Sequence, residues 1–214
     1  MAIKIAVVNE SKNNETRVAV VPEIAQKLSS SNVTFSIEKN SGAASGFLDA
    51  DYPENACSFF DVASEALKDA DVLFKVNPPT SEEIGYMKKG ALAVSYMNPF
   101  QNGELIKNMA SSGIDAFSVE LIPRISRAQS MDALSSQASI AGYKAVILAA
   151  NNANKFFPML TTAAGTVRPA QTLIVGAGVA GLQAIATAKR LGSRVIAFDV
   201  RSSTKEQILS LIHI

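Results

Sequence analysis

The sequence predicts an α/β fold built from two domains with parallel sheets, the second incomplete, and three observations predict it. Strand-like apolar runs alternate with helix-period runs through the first 122 residues, the pattern of a parallel sheet with helices on both faces. Pro123 breaks that pattern, and a long helical run begins at Gln137. One strand, glycine turn, helix and strand unit then fills Gln171 to Asp199, and the sequence stops soon afterwards. The expected division is an N-terminal α/β domain over residues 1–136, then an interdomain helix and a partial second domain over 137–214.

Each element has a local reason. Ile3 to Val8 reads as a strand, followed by the polar loop NESKNNETR. Pro22 sits where a first helical turn tolerates it, leading into EIAQKLSSS. Val33 to Ile37 alternates as a strand before a loop carrying Gly42 and Gly46. Ala63 to Ala70 reads as a helix that feeds the strand Asp71 to Val76, which Pro78 and Pro79 stop. Thr80 or Ser81 with Glu82 and Glu83 marks a helix start that Gly90 ends, and Leu92 to Met97 is the next strand. Asn102 to Ser112 is a helix closed by Gly113, and Ile114 to Ile122 a strand. PRISRAQSMDALSS reads as a polar connection, Gln137 to Phe157 as a helix stopped by Pro158, and TTAAGTVRP as a loop. A long helix between two sheet domains suits a hinge beside a cleft.

The unit at 171–199 carries the chemistry. Leu173, Ile174 and Val175 are apolar and partly β-branched, as in a strand buried on both faces. Gly176, Gly178 and Gly181 follow at Gly-x-Gly-x-x-Gly spacing, then a helix through Leu182, Ile185, Ala186 and Leu191 that Gly192 closes. Val195 to Phe198 is a second strand, ending on Asp199. The first glycine permits a tight turn, the second lets backbone approach a pyrophosphate, and the third lets the helix sit close to the strand. A pyrophosphate would lie on the unpaired amides of the helix N-terminus. Asp199 would accept hydrogen bonds from ribose hydroxyls and repel a 2′-phosphate, so the unit reads as a Rossmann-like site for NAD rather than NADP.

Composition narrows the alternatives. Twenty basic against nineteen acidic residues leave a net charge of +1, which offers no electrostatic footprint for nucleic acid. Cys57 is the sole cysteine, so neither a disulfide framework nor a thiolate zinc cluster can form within the chain, no metal is expected, and Cys57 reads as a small half-buried residue. The start MAIKIAVV reads as a first strand rather than a signal peptide, and the chain is expected to be soluble in a reducing compartment.

Three stretches carry a family resemblance over about the first 207 residues: ESKNNETRVAVVPE at Glu10–Glu23, PRISRAQSMDALSSQ at Pro123–Gln137, and VGAGVAGLQAIATAKRLGSRVIAFDVRSSTKEQ at Val175–Gln207. Together they resemble the NAD(H)-binding component, or alpha subunit, of proton-translocating NAD(P) transhydrogenase, a relative of alanine dehydrogenase. The resemblance implies that this component binds NAD(H) and a partner component holds NADP(H). Hydride would pass between the two nicotinamides, coupled through membrane-spanning components to proton translocation. It implies a homodimer at full length, placed at the cytoplasmic face of the inner membrane as the soluble part of a complex. By carry-over, Arg124, Gln129 and Asp132 form the catalytic set, with Gln129 reaching the nicotinamide riboses and Arg124, Asp132 and Ser135 orienting the carboxamide. The implied cofactor-binding set adds Gly176, Ala177, Gly178, Val179, Ala180, Gly181, Asp199, Val200 and Arg201.

Alcohol or amine oxidation by hydride removal releases a proton and needs a base, commonly His, whereas transfer between nicotinamides releases none. The only histidine is His213. The rival is an amino-acid dehydrogenase of the alanine dehydrogenase type, in which Arg17 and Lys75 match substrate-holding positions but Asn98 stands about where that branch has its catalytic His. Arg17 could instead be a surface ion pair and Lys75 a snorkelling strand end. A non-catalytic NAD-binding or assembly module is the third reading. The tail ILSLIHI, without turn or cap, departs from the family pattern, so the chain reads as a truncated fragment in which His213 has no assured role. Residues 1 to about 122 are then expected to be compact, the remainder labile with Ile174, Ile185 and Val195 uncovered, and NADH binding weak or absent.

Overall fold

Five short strands of the computed structural model, which describes residues 2–11 and 14–212, line up in parallel beside β1 (Ile3–Val7). In chain order these are β2 (Val33–Glu38), β3 (Cys57–Phe60), β4 (Val72–Phe74), β5 (Leu92–Ser95) and β6 (Asp115–Ser118), in the spatial order β3-β2-β1-β4-β5-β6. Between them run α1 (Pro22–Ser29), α2 (Ala63–Leu67), α3 (Ser81–Tyr86) and α4 (Gly103–Ser112). Side chains alternate across the sheet because the strand period is two. Ile5 and Val7 join Phe35, Ile37 and Tyr52 in one core layer, while Ala6 and Val8 join Leu67, Leu73, Ile84 and Met109 in the other. Strand order reverses between β1 and β4, and Glu10 bridges that point. Its buried carboxylate accepts from the amides of Val76 at 2.7 Å and Asn77 at 2.9 Å, just beyond β4.

Several expected boundaries shift. The stretch after β6 does not stay extended to Ile122 but turns into a 3-10 helix at Val119–Leu121. β3 was not anticipated; it sits at the sheet edge, and Cys57 within it is buried rather than half-buried. α3 ends at Tyr86 rather than at Gly90.

The chain divides into compact units at residues 1–128 and 129–214. In the second, α5 (Ala133–Asn152) begins and ends earlier than the expected Gln137–Phe157. Asp132 starts it: the carboxylate accepts from the Ser135 amide at 2.9 Å, so the first turn is set by a cap rather than by apolar periodicity. A boundary at 136/137 would therefore cut the first turn of this helix. The segment before it is no irregular connection, since Ser126–Met131 is a 3-10 helix. TTAAGTVRP likewise holds an antiparallel hairpin, β7 (Leu160–Thr162) with β8 (Gly165–Val167). β9 (Gln171–Val175), α6 (Val179–Arg190) and β10 (Arg194–Phe198) follow, and β9 pairs in parallel with β10 from Gln171↔Arg194 to Val175↔Phe198. The tail forms α7 (Lys205–Ile212), and His213 lies outside the described residues.

The core of this unit is one-sided. Val146, Phe157, Ala170, Ala184 and Ala188 pack with Ile174, Leu191 and Val195 between the helices and one face of β9 and β10. The residues expected to be uncovered are thus the covered ones, and Ile185 is fully buried. The opposite register faces out: Leu173, Val175, Ile196 and Phe198 are 64%, 73%, 48% and 57% exposed. β9 is consequently not buried on both faces, as its composition suggested, because α5 and α6 supply only one covering layer. Among the described residues no helix is long and apolar enough to cross a membrane.

Candidate functional site

The turn between β9 and α6 uses its three glycines for three reasons. Gly176 has φ of +99°, which side-chain-bearing residues rarely adopt, and its amide donates to Phe198 O at 2.7 Å, tying the ends of the two strands together. A Cβ on Gly181 would lie 1.8 Å from Gly176 O, so only glycine lets the helix approach its own turn. Gly178 is different: its backbone is extended at φ −77° and ψ −170°, and a Cβ there would meet nothing within 4 Å. Protein packing does not require glycine at this position. The open space it preserves faces the start of α6, where the first amides of a helix have no intrahelical acceptor and the dipole favours an anion. That combination fits a pyrophosphate.

Asp199 stands at the exit of β10 with its carboxylate 5% exposed. Oδ2 accepts from the Ala177 amide at 2.6 Å and from Arg201 Nη2 at 3.1 Å; Oδ1 accepts from the Arg201 amide at 2.8 Å and Nε at 3.1 Å. The Arg201 guanidinium and then the Ala177 and Arg201 amides hold this carboxyl well below the usual carboxylate range. The acid therefore stays charged at any ordinary pH, and it locks to the glycine turn through Ala177. Val179, Ala180 and Gly181 open α6, and Val200 is 88% exposed beside the acid. The structure thus gathers Gly176 to Gly181 and Asp199 to Arg201 around one turn.

One residue of this site escaped sequence reasoning. Gly142 lies inside α5, and a Cβ there would sit 2.1 Å from Ala180 O and 2.9 Å from Ala180 C. α5 is thus seated directly on the backbone of the phosphate turn. The available signal was a lone glycine inside a helical run, which points to close packing when it is not a cap.

The other predicted positions lie toward the start of α5. Asp132 and Ser135 bond one another, Ser135 Oγ donating to Asp132 Oδ2 at 2.7 Å in addition to the cap bond. Ser135 is two helical turns from Gly142, about 10 Å along the axis. Gln129 is exposed in the preceding 3-10 helix, with its carbonyl accepting from the Asp132 amide at 3.2 Å. Arg124 is exposed and belongs to the first unit, whereas the other site residues belong to the second.

The residues of the rival reading are engaged within the first unit. Arg17 donates through Nε and Nη2 to Glu15, each at 2.8 Å, and this holds the Glu15 carboxyl down at about 2. Lys75 is buried, not snorkelling, and its Nζ donates to both Glu83 oxygens at 2.9 and 2.8 Å. Glu83 also closes the capping box of α3 with Thr80. Asn98 adopts φ of +46° and donates from Nδ2 to Gln101 at 2.8 Å, a local turn role that suits asparagine in the left-handed region.

Comparison with known proteins agrees with this geometry. The family described as "Alanine dehydrogenase/PNT, N-terminal domain" matches residues 6–141, and its C-terminal domain matches 145–213. The chain is 46% identical to an NAD(P) transhydrogenase subunit alpha polypeptide of Rickettsia prowazekii over 98% of its own length and 56% of that protein. The crystal structure of transhydrogenase from Sinorhizobium meliloti superposes with a TM-score of 0.93 at 47% identity, covering 97% of this chain and 62% of that one. An L-alanine dehydrogenase structure superposes at 0.83 with 27% identity, over 98% of this chain and 58% of that one. The chain thus spans a little over half the length of the curated relative. With both family domains matched along it, the chain belongs to the alanine dehydrogenase/PNT family, on the side of the transhydrogenase alpha subunits.

Proposed function

We propose that the chain is the NAD(H)-binding component of a proton-translocating NAD(P) transhydrogenase. Hydride would leave bound NADH for NADP held by a partner component, and membrane-spanning components would couple that transfer to proton movement. The observation that carries the reading is the turn at Gly176–Gly181. Open space at Gly178, a helix N-terminus behind it and the charged Asp199 beside it form a cradle with no packing function of its own. Bound NADH would supply the hydride; the chain's role is to hold and orient it. The amides of Val179, Ala180 and Gly181 would face the pyrophosphate, and Asp199, with Val200 and Arg201 beside it, the adenosine ribose. Gln129 would reach the nicotinamide riboses, and Arg124, Asp132 and Ser135 would fix the carboxamide. Two-electron transfer from one C4 carbon to the other releases no proton, so this set needs no general base.

Burial and pairing favour this over amino-acid oxidation. A substrate carboxylate at Arg17 would have to displace Glu15, a carbonyl at Lys75 would have to displace Glu83, and Asn98 cannot shuttle a proton. The protein would assemble as a homodimer with NADP(H)-binding and membrane-spanning partners at the cytoplasmic face of the inner membrane. The test uses protein expressed from its complete gene, NADH and an NADP analogue, with and without the partner components. Hydride transfer only with the partner supports the proposal. NADH oxidation by pyruvate and ammonia would mark an amino-acid dehydrogenase, and NADH binding without turnover in either mixture a non-catalytic module.

A further inference from the structure

A carboxylate offers about four acceptor positions, and all four on Asp199 are taken by the chain itself. Two donors, the amides of Ala177 and Arg201, are fixed by the backbone of the turn. The other two, Nε and Nη2 of Arg201, sit on a side chain that is 57% exposed and free to swing. A ribose diol can reach Asp199 only by taking the places of that guanidinium. Arg201 is, in turn, the one cation among the described residues bonded to the ribose-reading carboxylate, and a guanidinium is the group best matched to a phosphate dianion.

We propose that Asp199 discriminates against NADP chiefly by sequestering Arg201, which is a latent 2′-phosphate ligand. The proposal rests on the NAD(H) site assigned above and deepens it. In the resting chain the ion pair cancels the cation. When NADH binds, the ribose hydroxyls replace the guanidinium on Asp199, and the displaced Arg201 meets no phosphate. With NADPH the freed guanidinium would still face a neighbouring carboxylate that repels the same phosphate. Removing the carboxylate leaves Arg201 uncancelled beside the 2′ position. Like-charge repulsion alone makes a different prediction, because it does not depend on what residue 201 is.

The experiment is a double-mutant cycle on equilibrium binding, with NADH and NADPH titrated by nucleotide fluorescence into protein expressed from its complete gene. The four proteins are wild type, Asp199→Ser, Arg201→Ala and the double variant. Asp199→Asn serves as an isosteric second variant that can still accept from Ala177, with thermal unfolding as the check on folding. Asp199→Ser should raise NADPH affinity relative to NADH by about thirtyfold or more, in line with charge-assisted hydrogen bonds to one phosphate. In the Arg201→Ala background the same change should bring about threefold or less. Equal gains in both backgrounds would overturn the proposal and leave repulsion as the whole effect. If wild type binds NADH and the cycle is additive, only this inference falls; if wild type binds neither nucleotide, the NAD(H) assignment falls with it.

Discussion

Gly142→Ala isolates the contact on which the nucleotide turn rests. Two effects of opposite sign compete there. Alanine inside a helix is favoured over glycine by about 0.5–1 kcal/mol, since the unfolded chain loses less freedom on folding. Against this, the new Cβ would stand 2.1 Å from Ala180 O, where carbon and oxygen ordinarily approach no closer than about 3.3 Å. The obstacle is backbone, so α5 and α6 must separate by about 1 Å, a small-to-large overpacking cost of about 1–3 kcal/mol. The clash should win, with a net loss of about 1–2 kcal/mol in urea denaturation. NADH affinity should fall as well, because Ala180 lies in the turn that moves. Gly85 is the internal control: it is exposed in α3 and a Cβ there meets nothing within 4 Å. Gly85→Ala should therefore stabilise by about 0.5–1 kcal/mol. A Gly142→Ala protein as stable as wild type, with unchanged NADH binding, would refute the claim that α5 seats the turn.

Three further outcomes are expected. Gln129→Ala in the reconstituted complex should lower turnover by at least about tenfold while shifting the NADH dissociation constant far less, because it positions the reacting ring rather than the adenosine half; equal losses would make it an ordinary binding residue. Glu10→Ala should cost about 2–4 kcal/mol, measured by denaturation, since it strips a buried carboxylate from the amides of Val76 and Asn77 where strand order reverses. Burial pushes the Cys57 thiol up to about 11, so at pH 8 only about one molecule in a thousand carries the reactive thiolate. Iodoacetamide should leave the native protein unlabelled and react at once in urea; rapid native labelling would contradict the burial of β3.

The glycine turn was legible because each of its glycines answers a local demand: a positive φ at Gly176, contact at Gly181, open space at Gly178. The alternating strands and helices of the first unit were legible for a similar reason, since strand period and cap residues such as Thr80 and Gly113 act within a few positions. What escaped depends on partners distant in sequence or on layers the composition cannot count. Gly142 is explained only by Ala180 in another helix. Leu173 and Ile174 are alike as residues, yet only Ile174 meets a covering helix. The start of α5 was missed because Ala133 to Ser136 carry no apolar period, although Asp132 followed three residues on by the amide it caps was a readable signal. The hairpin at Leu160–Val167 has strands of three exposed residues, too short for alternation to show.

The most direct measurement follows the transferred hydrogen itself. NADH deuterated at the transferable C4 position is mixed with protein expressed from its complete gene, the NADP-binding and membrane components of a transhydrogenase, and NADP. The resulting NADPH is then weighed by mass spectrometry. Direct passage between the two nicotinamides predicts deuterium in the NADPH and none in solvent. Unlabelled NADPH, or NADH consumed without any NADPH formed, would contradict the assignment of this chain as the hydride-donating component.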